Sequence, residues 1–96
     1  MSYYFNFKAA SKEEAKQKAA AEMDRVVEQQ PIHRNDQKQA LAAAGAFIDL
    51  CPEPKDGEVV HVTVSGSVTW RGDMDNQDII GAGVNVTAGV GPAPKQ

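Results

Sequence analysis

Hydrophobic and polar residues alternate most regularly between residues 58 and 90. Val60, Val62, Val64, Val68 and Trp70 occupy even positions, with His61, Thr63, Ser65, Ser67 and Thr69 between them. A second run repeats the pattern: Ile80, Ala82, Val84, Val86, Ala88 and Val90 against Gly81, Gly83, Asn85, Thr87 and Gly89. A period of two predicts two strands, each with one apolar and one polar face. With Trp70 near Ile80, the even residues of both strands share a face, because a one-residue slip would turn one set outward. The two runs read as one long β-hairpin with an acidic tip at residues 71–78.

Residues 3–9 predict a first strand with Tyr3, Phe5 and Phe7 inward, since aromatic residues suit strands. The period then changes. Ser11-Lys12-Glu13-Glu14 fits a capping box, in which the serine takes the Glu14 amide and the Glu14 carboxylate reaches back. A helix over residues 12–29 follows, with Ala15, Ala19, Met23, Val26 and Val27 as its apolar stripe. Glu14 and Lys18 stand in the favourable i,i+4 order. Pro31 ends the helix. Asn35 or Asp36 is the expected N-cap of a second helix running to about residue 50. Leu41, Ala44, Phe47, Ile48 and Cys51 are expected to face the core. Gly45 costs roughly 1 kcal/mol of helix propensity against alanine, which suggests close packing there. Residues 52–57 form a breaker and turn.

The order β-α-α-β-β predicts an α+β fold. It is a two-layer sandwich, with a three-stranded, mainly antiparallel sheet and an αα-hairpin on one face. Whether the first strand lies beside the second or the third is open. Residues 1–90 are expected to form a single domain and residues 91–96 a flexible tail. The expected core is Phe5, Phe7, Met23, Val26, Leu41, Phe47, Ile48, Val60, Val62, Val64, Val68, Trp70, Ile80, Val84 and Val86. A dozen-residue strand spans roughly 40 Å, and the helices roughly 24 to 28 Å. The hairpin must therefore bend, with Gly66, Gly81 and Gly83 as the places to do so, or project beyond the body.

Composition narrows the function classes. The chain has 96 residues and a formal net charge of −3, so electrostatics favour neither nucleic acid nor a membrane surface. No apolar run is long enough to span a bilayer, and the N-terminal residues lack the pattern of a secretion signal. Cys51 is the one cysteine, which excludes an intrachain disulfide and fits a cytoplasmic setting.

Candidate chemistry is thin. Asp73, Asp75 and Asp78 cluster at the tip, but an EF-hand would need glycine where Asp78 stands and glutamate where Val84 stands. Arg71-Gly72-Asp73 matches integrin-binding loops in three residues only. Gly81-Ala82-Gly83 begins like a dinucleotide fingerprint, yet no helix follows to hold a phosphate. Cys51 and His61 are expected on opposite sides of the sheet, and no nucleophile, base and orienter stand together. No enzyme activity, metal or cofactor is expected.

The outward face of the hairpin is unusual for its lack of long charged side chains, which normally guard a solvent-facing sheet. A binding surface is expected at His61, Thr63, Ser65, Ser67, Thr69, Asn85 and Thr87, with Arg71, Asp73 and Asp75 at the tip. Self-association into a homodimer or larger assembly is the first expectation for its occupant, and a foreign protein the second. A polar ligand or nucleotide sequestered at a homo-oligomer interface is the alternative. In its compact size, acidic balance, lone Cys51 and β-α-α-β-β order, the chain resembles the short accessory proteins of bacteriophages and prophages. That resemblance implies a stoichiometric binder rather than a catalyst.

Overall fold

The computed structural model describes residues 2–30, 32, 34–71 and 78–93. For residues 68–71 and 78–82 it describes the backbone only. The elements are β1 (Ser2–Ala9), α1 (Lys12–Gln29), α2 (Arg34–Leu50), β2 (Glu58–Arg71) and β3 (Asp78–Pro92). They form an α+β fold in which the helical hairpin packs on a three-stranded antiparallel sheet of order β1-β2-β3. The first strand therefore lies beside the second.

The alternation in the sequence sets the register. Tyr3 pairs with Gly66, Phe5 with Val64, Phe7 with Val62 and Ala9 with Val60. Val60 then pairs with Val90, Val62 with Ala88 and Val64 with Val86. Odd residues of β1, even residues 60–66 of β2 and even residues 84–90 of β3 thus point to the helices. Tyr3, Phe5, Ala9, Val60, Val62 and Val64 are buried there, and the Tyr3, Phe5 and Phe7 rings stack in series at 6.5 and 6.2 Å. Val84, Val86, Ala88 and Val90 of the outer strand β3 are only half-buried.

Ser11 caps α1 by accepting the Glu14 amide at 3.1 Å. The Glu14 carboxylate does not complete the box; it lies on Lys18 at 3.1 Å. Ala15, Ala19 and Met23 are buried against the sheet. Alanines bring the helix axis close to the strands, and Met23 fills the wider gap beyond them.

The second helix differs from expectation in its facing. It begins at Arg34, so Asp36 sits in its first turn rather than capping it. Its buried line is Asp36, Ala40, Ala44 and Ile48, a strict i,i+4 row. Cys51 is buried just beyond it. Phe47 does not join the core and is 46% exposed. A helix held close to β2 and β3 by alanines has no room under it for a phenyl ring, and the buried line runs through Ala40 and Ala44 instead. Nothing lies within 4 Å of a methyl group built on Gly45, so close packing does not explain that glycine.

The hairpin both outlasts the sheet and departs from even pairing. β1 ends at Ser2 opposite Ser67, so residues 68–71 pair with β3 alone among the described residues. Thr69 pairs with Gly81, but Trp70 pairs with Ile79, an irregularity that leaves Ile80 as the extra residue. It falls beside Gly81, one of the positions where bending was expected. The side chains of Val68, Trp70 and Ile80 lie outside the described residues. At the other end β3 continues past Val90: Gly91 and Pro92 pair with Val59 and Glu58, and the Ala93 amide donates to the Gly57 carbonyl at 2.8 Å. No helix among the described residues is long and apolar enough to cross a membrane.

Candidate binding face of the sheet

The face turned away from the helices is laid out in rows across the three strands. From one end these are Ser2, Ser67 and Gly83; Tyr4, Ser65 and Asn85; Asn6, Thr63 and Thr87; and Lys8, His61 and Gly89. Val59 and Gly91 follow. His61, Thr63 and Ser65 lie on the central strand and are half-buried by their neighbours, while Ser67, Asn85 and Thr87 are exposed. These expected positions therefore share one surface. Thr69 and Arg71 belong to β2 by backbone, but their side chains, and the whole of Asp73 and Asp75, lie outside the described residues.

Two features set this face apart. It carries no acidic residue in any of these rows, although the protein bears a net charge of −3. Lys8 and His61 are the basic groups of these described rows, neighbours across one of them. It is also bare. A methyl group added to Gly83 or Gly89 would meet nothing within 4 Å. At Gly91 it would meet only the His61 ring, at 3.5 Å, an ordinary contact. Among the described residues, these glycines hold no room for another part of their own protomer.

The first strand contributes more to this face than the sequence revealed. Tyr4 is 63% exposed, and its hydroxyl accepts from Asn6 Nδ2 at 2.9 Å. Neither residue was expected in the surface, because the neighbour of β1 was open. Once β1 lies beside β2, the complement of its buried aromatics must join the outer rows. Two shallow recesses follow from the rows. One of about 290 Å³ is lined by Asn6, Phe7, Lys8, His61, Val62 and Thr63. The other, of about 240 Å³, lies at Ser2, Ser65, Ser67, Gly83 and Asn85.

The buried side holds a different kind of polar feature. The Tyr3 ring lies directly over Gly66, where any side chain would collide with it. Its hydroxyl and Asp36 Oδ2 are both buried, and among the described residues neither has a hydrogen-bond partner. Burial raises the Tyr3 pKa, and the nearby Asp36 charge raises it further. Cys51 is on the helix side, its thiol donating to the Phe47 carbonyl at 3.5 Å. The sheet separates it from His61 on the outer face. Among the described residues no three metal-ligating side chains gather.

No family model, curated protein or solved structure matches this chain.

Proposed function

We propose that this chain is a small, non-enzymatic, cytoplasmic binding protein that acts stoichiometrically through the outer face of its sheet, in the manner of a phage accessory protein. One observation carries the reading: Gly83 and Gly89 stand on the open face with nothing to make room for. Glycine in a strand costs roughly 0.5–1 kcal/mol against alanine, and here no contact among the described residues returns it. A flat partner surface resting on the backbone at these positions would. The short side chains of Ser65, Ser67, Asn85 and Thr87 suit the same close approach, and Tyr4 supplies one large amphipathic group of the kind favoured at interfaces.

Site-specific photocrosslinking in the producing cell tests this. A benzophenone side chain at Asn85 should give one discrete adduct, while the same group at Gln39 on the exposed surface of α2 gives none. Equal, diffuse labelling from both positions would contradict the reading.

A further inference from the structure

The two edges of the sheet are unlike. On β1, Lys18 Nζ donates to the Lys8 carbonyl at 2.7 Å, and Gln30 Nε2 donates to the Ser2 carbonyl at 3.0 Å. Side chains from α1 and its C-cap thus occupy main-chain acceptors that an incoming strand would need, and Lys8 adds a charge to the same strand. Edge strands are commonly protected in these ways. On β3, among the described residues, no side chain bonds to the main chain. The sequence has no charged residue from Ile79 to Ala93. A second difference points the same way. Val60, Val62 and Val64 on β2 are fully buried, whereas their partners on β3 are half-buried on the same, core-facing side. Among the described residues, the apolar layer runs to the β3 edge and is only half covered there.

We infer that a second copy of this chain docks along β3, strand against strand and antiparallel, to form one six-stranded sheet. The occupant follows from the edges. A protected β1 disfavours head-to-tail pairing of β3 with β1 of another copy, the arrangement that would grow without end. β3 against β3 closes on a two-fold axis, the commonest symmetry of oligomers. An uncharged strand meets its own copy without like-charge repulsion. A two-fold axis normal to the sheet keeps both helical layers on one side. Val84, Val86, Ala88 and Val90 of the two copies then meet across the seam, and the two outer faces join into one surface. This arrangement goes beyond the binding reading above and does not depend on it.

The test combines mass with amide hydrogen exchange on the intact protein over a dilution series. A single protomer leaves every second β3 amide between residues 83 and 91 unpaired and fast to exchange. The dimer pairs them. The expected result is a twofold rise in mass from the 10.3 kDa protomer, with protection of those alternate amides appearing over the same concentration range. Ser65→Glu, a change at the centre of the outer face, should leave both unchanged. A monomer at every concentration would overturn the inference. So would a dimer in which the alternate β3 amides stay unprotected and Ser65→Glu restores the monomer, because copies would then pack face to face.

Discussion

Tyr3 shows how one residue can serve the core and strain it together. Its ring covers the bare backbone at Gly66 and stacks on Phe5, yet its hydroxyl is buried without a partner among the described residues. An unpaired buried hydroxyl costs roughly 1–3 kcal/mol, so Tyr3→Phe should leave the melting temperature unchanged or raise it. The same residue sets an alkaline limit. Its pKa is raised in the fold, by burial first and by Asp36 second. The neutral phenol is favoured in the folded state, so its contribution is complete below the ordinary tyrosine pKa of 10.0. It is lost as pH rises through the higher folded value. Tyr3→Phe should therefore flatten the alkaline limb of a stability–pH curve; an identical limb in both proteins would show that Tyr3 does not titrate there. The inward position of Tyr3 was legible from alternation alone. Its lack of a partner was not, because Asp36 reads in sequence as a helix cap, whereas in the fold it is buried in the first turn of α2.

At the scale of elements, period two proved more informative than period 3.6. The paired stretch of β1 and β2 alternates, and one pairing, Phe5 with Val64, determines every inward residue of β1 and the paired part of β2. The helices offered several overlapping stripes. In α2, Phe47 is the larger apolar residue, but Ala40 and Ala44 lie on the buried line because the helix sits close to the sheet. Hydrophobicity ranks Phe47 above alanine; available space ranks them the other way, and the sequence does not record that distance. The junction between β1 and β2 offers a direct check. Gly66→Ala would place a methyl group inside the Tyr3 ring, and overpacking of this kind typically costs 1–3 kcal/mol. In the Tyr3→Ala background that cost should vanish, a coupling a double-mutant cycle measures directly. Equal losses in both backgrounds would place the origin in the strand itself.

For the whole molecule, the sheet has two sides with opposite demands. The inner side is filled by aromatics, valines and closely packed alanines. In its described rows the outer side is short, free of acidic groups and open over Gly83 and Gly89. The hairpin and its two faces were legible because alternation divides them without any tertiary information. The contribution of Tyr4 and Asn6 to the outer face was not, since it depends on which strand neighbours β1. The stability of the isolated protein carrying both Gly83→Thr and Gly89→Thr bears most directly on whether the bare face is kept for contact rather than for folding. Threonine is among the better strand formers, on a scale that spans about 1 kcal/mol. A change of 1 kcal/mol moves the melting temperature of a domain this size by roughly 4–8 °C. A face kept bare for contact gives a higher melting temperature together with loss of the Asn85 photoadduct. A lower melting temperature would mean that the fold itself needs these glycines, and would contradict a face kept bare for contact.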